Sequence, residues 1–252
     1  MPRCARNLKD SGFYHIMIRG VNKDIIFKDE DDRRVFLRLL YYYNKKFKCK
    51  IHAYCLMDNH VHILFEDRSM FISEFMRDVT SHYASEYNKK YKRVGHLYQE
   101  RFKSEVVYSE DYLLRVVKYI HRNPEKAGIC KTDEYKWSSY NEYLYKPFII
   151  EKEYILSKFD VKEKIAIKKF KEYVLNNKDD KIEDLYFLKK LTDQQAIELI
   201  KYITKTSNIL DIRNYEKEKR INTIKQILRL KNLNDNQIAR VLKISKNFRK
   251  NI

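Results

Sequence analysis

Glycine and proline are scarce in this 252-residue sequence, which has four glycines and three prolines. Enzymes that hold a nucleotide in a phosphate-binding loop need two or three glycines within about eight residues. The glycines here stand too far apart for such a loop, at Gly12, Gly20, Gly95 and Gly128. The sequence therefore excludes kinase-like and Rossmann-type nucleotide enzymes.

Cysteine is also scarce, and long apolar runs are missing. Cys4, Cys49, Cys55 and Cys130 form no Cys-x-x-Cys pair, which argues against a zinc ribbon and a disulfide framework. No stretch approaches the roughly 20 apolar residues that a membrane span requires. The first residues, MPRCARNLKDSG, lack the apolar segment of a secretory signal. We expect a cytoplasmic protein with reduced thiols and no membrane partner.

Positive charge, in contrast, is abundant. The chain carries 53 Lys and Arg against 35 Asp and Glu, a net charge of +18. An excess of this size predicts a polyanionic partner, because Lys and Arg along a phosphate backbone release its counterions. Residues 213–252 hold 12 basic and three acidic residues, which is half of the excess. Nucleic acid is the first expectation, and a membrane surface the second.

Hydrophobic patterns predict an α+β fold. We expect strands at residues 13–20, 49–57 and 59–66 and within 95–109, and helices at 29–47, 69–90 and 109–124. The order β-α-β-β-α-β-α is typical of a ferredoxin-like antiparallel sheet with helices on one face. The other face would then be free for a site.

The composition changes after the KPF motif at residues 146–148 and indicates three regions. We predict the α+β domain at 1–150, a helical connector at 151–205 and a basic helical module at 206–252. In that all-α region, Gln237–Leu242 resembles the first helix of a helix-turn-helix, and Ser245 would cap a recognition helix from Lys246. Lys243 stands where the turn usually has glycine. Both a duplex-reading helix-turn-helix and another kind of DNA-binding module therefore stay open.

Two histidines, two residues apart, form a candidate metal site. His60 and His62 share one face of the third predicted strand, while Val61, Ile63 and Phe65 share the other. The apolar set can pack on helices, and the histidines can chelate one divalent cation. Such a pair alone is as often structural as functional.

The helix at residues 109–124 supplies a second candidate element. It begins with Ser109 as N-cap and is predicted to stop at Pro124, which moves Asn123 out of the helical region. Tyr119 and Asn123 stand four residues apart and so share a helical face. A tyrosine beside a metal ion can attack a phosphodiester. Because the chain has 21 tyrosines, spacing alone does not select Tyr119.

Several motifs occur together in the order and spacing of one enzyme family. They are PRCAR, YHIMIRGVNKDIIF, IHAYCLMDNHVHILFE, YQERFKSEV and YIHRNPEKAGI. Over roughly residues 1–145 the chain resembles the single-tyrosine HUH transposases, and most closely the REP-associated tyrosine transposases. The resemblance implies an RRM-like catalytic fold that acts on single-stranded DNA at hairpin or repeat-element ends. The C-terminal extension is absent from minimal members.

The resemblance also implies which residues act. It places the metal-binding histidines at His60 and His62, the nucleophile at Tyr119 and the third ligand at Asn123, with Mg²⁺ or Mn²⁺ as the metal. Attack by the tyrosine would leave a 5′-phosphotyrosine and a free 3′-hydroxyl. Relatives work as monomers or as dimers, so both states stay open here.

Basic residues near these motifs are the candidate DNA contacts. The predicted set is Arg3, Arg6, Arg19, Lys90, Arg93, Arg101, Lys103, Lys118, Arg122, Lys246 and Arg249. In the segment 88–93 the cations are interleaved with tyrosines, an arrangement that suits stacked bases of a single strand. A solvated helix end accounts for that segment equally well.

Three interpretations compete with a DNA strand transferase. Asp58 and His52 could join the histidine pair in a zinc hydrolase. The fold could instead serve a non-catalytic DNA-binding regulator derived from a transposase, or an RNA-binding protein. The RNA interpretation lacks the aromatic side chains expected on the central strands. The complete set of four site residues favours the transferase over the regulator.

Overall fold

The computed structural model describes residues 12–69, 71–107, 109–176, 191–228, 230 and 233–251. The predicted DNA contacts Arg3 and Arg6 lie outside the described residues. The chain divides into two compact units, Met1–Asn176 and Asn177–Ile252. Within the described residues, no helix has the length and apolar character needed to cross a membrane.

The first unit is built on a four-stranded sheet. Its elements in chain order are β1 (Phe13–Arg19), α1 (Glu30–Phe47), β2 (Lys50–Met57), β3 (His60–Glu66), α2 (Ile72–Lys90), β4 (Lys103–Val106) and α3 (Glu110–Lys126). The strands lie in the order β2-β3-β1-β4, and each neighbouring pair is antiparallel. The predicted α+β class and the predicted order of strands and helices are confirmed.

The apolar face of β3 packs against helices. Successive residues of a strand point to opposite sides, and Val61, Ile63 and Phe65 on one side are completely buried. The ring of Phe65 contacts Phe75 of α2, with ring centroids 4.8 Å apart. Helix α1 packs beside α2. These contacts form the core of the first unit on this side of the sheet.

Helix α3 lies on the opposite face, over β2 and β3. His62 on that face contacts the ring of Tyr119 in α3, with ring centroids 5.5 Å apart. The structure therefore differs from the expectation of a second face free of helices. The reason is the apolar stripe of α3, where Val116 and Ile120 are completely buried. The candidate site lies between a sheet and a helix.

Gly20 follows β1 at a point where the chain has no room for a side chain. An added Cβ would lie 2.2 Å from the carbonyl oxygen of Asp24 and 2.8 Å from Cγ2 of Ile26. The amide of Gly20 donates a hydrogen bond to the carbonyl of Asn59 at 3.0 Å. This close approach holds the end of β1 next to Asn59, the residue before His60.

A polar network joins the start of α1 to the end of α2. Asp29 and Asp32 form a capping box at the first turn of α1. The ammonium of Lys90 donates to Asp29 at 2.7 Å and to Asp32 at 2.8 Å. The hydroxyl of Tyr91 also donates to Asp32, at 2.8 Å. The network stabilises the arrangement of the two helices.

Helix α3 begins at the predicted cap, Ser109, but continues through Pro124 to Lys126. A proline removes one backbone donor and is most disruptive in the middle of a helix. Here it lies in the last turn, where the amide of Ala127 still donates to the carbonyl of Asn123 at 2.9 Å. The predicted stop at Pro124 is wrong, and Asn123 lies inside the helix.

Three more helices belong to the first unit: α4 (Tyr140–Leu144), α5 (Glu153–Leu156) and α6 (Glu163–Leu175). Phe170 of α6 stacks on Tyr143 of α4 with ring centroids 4.2 Å apart. Both rings contact the buried imidazole of His121 in α3. Because α6 packs on α3, the first unit extends to Asn176, past the composition change near residue 150.

The second unit is helical, in agreement with the prediction for the C-terminal region. Among its described residues, the elements are α7 (Asp193–Thr204), a 3-10 helix (Ile209–Asn214), α8 (Lys217–Leu228), α9 (Asp235–Leu242) and a 3-10 helix (Phe248–Asn251). Helices α7, α8 and α9 share an apolar core that includes Leu199, Ile227 and Ile238, all completely buried.

Helix α9 contains the predicted first helix of the helix-turn-helix, but the described residues after it form no second α-helix. Lys243 ends α9 in the left-handed conformation, with φ of 51°. Arg249 then donates to Asp235 at 2.7 Å and ties the end of the chain to the start of α9. The recognition helix expected from Lys246 is therefore corrected to a short 3-10 helix.

Candidate active site

The two histidines of β3 lie side by side, with ring centroids 5.0 Å apart. Burial, and after it the positive charge of Arg19, lowers the pKa of His60 to about 4. Burial also lowers the pKa of His62 well below its ordinary value, with a further contribution from His15. Both rings are therefore neutral at pH 7, and the neutral ring is the form that binds metal ions.

His15 of β1 is a site residue to which the sequence assigned no role. Its Nε2 lies 3.0 Å from Nδ1 of His62, and both side chains are buried. This hydrogen bond orients the ring of His62 and leaves Nε2 of His62 for a ligand. The contact exists because β1 is the neighbour of β3 in the sheet. No local sequence pattern reveals that neighbourhood.

Tyr119 of α3 stands edge-on to both of these imidazoles. Its ring centroid lies 5.5 Å from that of His62 and 5.8 Å from that of His15, at interplanar angles of 87° and 77°. The ammonium of Lys126 lies 5.5 Å from the same centroid. Tyr119 is only partly buried. The structure thus brings the predicted nucleophile to the predicted metal-binding pair and leaves it accessible to a substrate.

Asn123 follows Tyr119 by one helical turn and is oriented by it. Its Nδ2 donates to the backbone carbonyl of Tyr119 at 2.6 Å. Because the amide nitrogen is engaged by its own helix, Oδ1 is the atom that remains for a ligand. An oxygen ligand is what a hard divalent cation such as Mg²⁺ prefers.

The donor atoms of this cluster suit a divalent cation. Nδ1 of His60 bonds to Asn59 at 2.6 Å and Nδ1 of His62 bonds to His15, so each ring retains Nε2 as its metal-binding atom. The described residues contain no group of three or more His, Cys, Asp and Glu side chains placed to hold a metal ion. A cation bound by His60 and His62 would need a third ligand of another type, and the amide oxygen of Asn123 is the predicted one.

The two residues of the zinc-hydrolase interpretation have partners elsewhere. His52 bonds through Nε2 to Glu66 and through Nδ1 to the carbonyl of Glu151, both at 2.9 Å. Asp58 forms a salt bridge with Arg33. Both ring nitrogens of His52 are thus occupied, and the geometry gives this interpretation no support.

The edge strand β4 carries charged residues on the face of the histidines. In its register with β1, Glu105 lies opposite His15 and Lys103 lies opposite Met17. Opposed residues of antiparallel strands share a face, so both charges lie on the side of the site. The side chain of Lys103 is 44% exposed. Glu105 is a further residue that the sequence did not single out.

Arg19 ends β1 directly opposite His60. Its charge contributes to the low pKa of His60. Its Nε is buried and has no hydrogen-bond partner among the described residues. Arg19 and Lys103 are thus predicted DNA contacts that the structure places on the histidine face.

Two other predicted DNA contacts, Lys118 and Arg122, are buried, with 4% of each residue exposed. Arg122 donates to the carbonyl of Asn176 and to Glu125, both at 3.2 Å. The ammonium of Lys118 lies 5.4 Å from the ring centroid of Tyr173 in α6. These contacts join α3 to α6 and to the chain that follows it. Both cations take part in the packing of the first unit, and this burial does not favour the predicted contacts with DNA.

The remaining predicted contacts have varied surroundings. Lys90 is held by two aspartates at the start of α1. The guanidinium of Arg93 lies 5.7 Å from the centroid of a tyrosine ring of α2. Arg101 and Lys246 are exposed, whereas Arg249 is engaged in a salt bridge of the second unit. Within the first unit, no described contact joins Lys90, Arg93 or Arg101 to the histidine pair.

Comparison with known proteins finds a similarity in the first unit. Residues 9–123 match the family model described as "Transposase IS200 like". One similar solved structure is described as "Structure of the REP associates tyrosine transposase bound to a REP hairpin". Its TM-score is 0.49 at 13% sequence identity, over 61% of this chain and 96% of that chain. No curated protein sequence matches the chain.

Substitution of single cations should separate surface from internal charges. We expect Lys103→Met to lower the slope of log affinity against log salt for a single-stranded oligonucleotide by about 0.7, the value of one neutralised phosphate. Lys118→Met should leave that slope unchanged and shift the melting temperature instead. Fluorescence anisotropy over a salt series and thermal unfolding provide the two measurements. An equal decrease of the slope in both variants would contradict the assignment of Lys118 to the interior.

Proposed function

We propose that this chain, whose residues 9–123 match the family model of IS200-like transposases, is a transposase that cleaves and rejoins single-stranded DNA through Tyr119. The contact of Tyr119 with the buried pair His15 and His62 carries the proposal. Packing alone gives no reason for a partly exposed tyrosine to lie beside two neutral histidines. Cleavage of a phosphodiester at this site would require both an accessible nucleophile and neutral histidines.

The proposed reaction conserves the energy of the phosphodiester. The oxygen of Tyr119 attacks phosphorus, an O–P bond to the tyrosine forms, and the bond from phosphorus to the 3′-oxygen breaks. The products are a 5′-phosphotyrosine and a 3′-hydroxyl, and the phenolic proton is balanced by the proton on the new 3′-hydroxyl. The 3′-hydroxyl of another strand can then attack the phosphotyrosine, so strands are joined without ATP.

Helix α3 orients the nucleophile and supplies positive charge beside it. A phenol attacks only as its proton departs, and nearby positive charge favours that departure. The ammonium of Lys126 lies 5.5 Å from the centroid of the Tyr119 ring. The imidazoles of His15 and His62 hold one edge of this ring, so its hydroxyl has a defined position for attack.

The protein supplies ligands for Mg²⁺ or Mn²⁺. Nε2 of His60, Nε2 of His62 and Oδ1 of Asn123 would hold the cation, whose charge would stabilise the negative charge of the scissile phosphate. His15 would keep His62 in the tautomer that binds the metal ion.

Single-stranded DNA is the substrate that suits the charges around the site. Arg19 and Lys103 lie on the histidine face of two neighbouring strands. Cations in these positions can bind the phosphates that flank the scissile one, which positions the strand without reading its sequence. We expect the strand to belong to a hairpin or repeat-element end, as is usual for the family that the motifs resemble.

The second unit is proposed to add affinity for DNA. Residues 213–252 carry a net charge of +9, and the unit has its own apolar core. A basic compact module of this kind binds a phosphate backbone with strong salt dependence. Since the recognition helix is not formed, we propose backbone contacts rather than sequence reading in a duplex groove.

Removal of a single oxygen atom tests the assignment of Tyr119 as the nucleophile. Tyr119→Phe should abolish the covalent protein–DNA complex, because it removes the attacking oxygen and keeps the ring. The measurement is a denaturing gel after incubation with single-stranded hairpin oligonucleotides and Mg²⁺. Tyr42→Phe, at an exposed tyrosine of α1, is the matched control and should retain the complex. Persistence of the complex in Tyr119→Phe would refute the assignment.

The role of His15 can be tested through metal affinity. His15→Phe should weaken Mn²⁺ binding by about 10- to 100-fold, because the substitution removes the partner that orients the ring of His62. Calorimetric titration of the full chain measures the affinity, and high Mn²⁺ should restore covalent-complex formation. His96→Phe, at an exposed histidine, is the control. Unchanged Mn²⁺ affinity in His15→Phe would argue against this role.

Truncation after Asn176 follows the division between the compact units. The shortened chain should still form the covalent complex with a short oligonucleotide. Its affinity for longer DNA should fall, and the salt slope should decrease by about 0.7 for each phosphate that the second unit neutralises in the full chain. Anisotropy at several salt concentrations measures both changes. An unchanged slope would contradict the proposed role of the second unit.

A further inference from the structure

Ser139 stands directly before α4, in the position of an N-cap residue, but its hydroxyl makes no capping hydrogen bond with that helix. A serine in this position usually accepts a bond from one of the first amides of the helix. Here Oγ accepts from the amide of Tyr54 in β2 at 2.9 Å and lies 3.3 Å from the carbonyl oxygen of the same residue. A buried serine that leaves its own helix uncapped indicates that its hydroxyl serves another contact.

The other contact of Ser139 is with α3. Nε2 of His121 lies 2.8 Å from Oγ of Ser139, and both residues are completely buried. With the hydroxyl hydrogen donated to the carbonyl of Tyr54, Oγ is an acceptor and Nε2 of His121 is its donor. A continuous chain of hydrogen bonds therefore joins the side chain of His121 in α3 to the backbone of β2.

Ser139 is itself fixed to the edge of the sheet. Its amide donates to the carbonyl of Tyr54 at 3.0 Å. The preceding residue, Ser138, forms an isolated β-bridge with Cys55. Cys55 in turn lies directly opposite His62 in the register of β2 with β3. The acceptor is thus attached to the part of β2 that lies next to a candidate metal ligand.

His121 and Tyr119 lie on opposite sides of one turn of α3. Successive residues of an α-helix are about 100° apart around its axis, so His121 lies about 200° from Tyr119. Apolar contacts are not directional and tolerate a small rotation of a helix. A hydrogen bond weakens steeply with distance and angle. A rotation of α3 that moved Tyr119 away from His62 would therefore break the bond between His121 and Ser139.

We propose that His121 is a positioning residue for the cleavage reaction. Its bond to Ser139 fixes the rotation of α3 over the sheet and thereby the place of the Tyr119 hydroxyl. This inference rests on the proposed function for the role of Tyr119. His121 is completely buried, so it acts through the helix and not through contact with DNA. A nucleophile misplaced by about 1 Å can lose about 100-fold in rate, so the rate should depend on this bond.

The test compares the rate of covalent-complex formation at saturating oligonucleotide with the affinity for that oligonucleotide. His121→Phe keeps a ring and removes the donor, so we expect the rate to fall by about 10- to 100-fold with unchanged affinity. Ser139→Ala removes the acceptor and should act alike, and the double variant should be no slower than the slower single variant. His121→Gln offers an amide donor in place of Nε2 and should restore most of the rate. Additive losses in the double variant, or equal rates in His121→Phe and His121→Gln, would overturn the proposal.

Tyr135→Phe is the matched control for lost stability. The buried hydroxyl of Tyr135 donates to the carbonyl of Leu56 at 2.6 Å, which is another hydrogen bond between the segment before α4 and β2. Its removal should lower the melting temperature as the loss of the His121 bond does, but the rate should stay unchanged. An equal decrease of the rate in Tyr135→Phe would show that the rate follows stability alone, and the positioning role would be refuted.

A spectroscopic measurement separates this inference from the proposed chemistry. The ring of Tyr119 stands edge-on to His62, so the NMR chemical shifts of the imidazole C–H groups of His62 depend on the place of that ring. In the metal-free full chain, His121→Phe should shift these signals and Tyr135→Phe should not. Unchanged signals in His121→Phe would overturn the inference whether or not cleavage occurs. Shifted signals in a chain that forms no covalent complex would refute the proposed function and leave the positioning of Tyr119 by His121 supported.

Discussion

The packing of α3 between the sheet and α6 is the constraint on which the site depends. The helix must bury Val116 and Ile120, and His121 beneath the aromatic rings of α4 and α6. Side chains of one helix keep fixed directions around its axis. Burial of these side chains therefore also sets the direction in which Tyr119 and Asn123 project. Tyr119 is thus positioned by the burial of side chains that precede and follow it in the same helix.

Charged groups in this protein affect the pKa values of the site histidines and also the packing of the helices. Burial and neighbouring positive charge both lower the pKa values of His60 and His62, so this candidate metal-binding pair is neutral in a chain of net charge +18. The face of the histidines carries Glu105 as well as the cations Arg19 and Lys103. Other cations take part in the packing of the fold: Lys90 is paired with Asp32 at the start of α1, and the buried Arg122 donates to the carbonyl at the end of α6. The formal net charge therefore overstates the charge available to DNA.

The two sides of the sheet edge at β4 carry different groups. On one side, Lys103 and Glu105 share the face of the histidines. On the other side, Glu74 and Tyr98 line a cavity, and each has a buried polar atom without a partner among the described residues. An edge strand is the only kind of strand around which a ligand can pass from one face to the other.

The sequence by itself determined the local features. Alternation in β3 separates the histidines from the apolar residues, helical spacing puts Tyr119 and Asn123 on one face, and Ser109 caps α3. Such patterns depend on neighbours within a few residues, so they can be read directly. The choice of Tyr119 among 21 tyrosines came instead from the resemblance to a family. Tertiary structure decided the rest. It brought His15 into contact with His62 and buried Lys118 and Arg122. It also let α3 continue through Pro124 and left a short 3-10 helix where a recognition helix was expected. These outcomes depend on which distant segments pack together, and that is set by the burial of whole elements rather than by any local pattern.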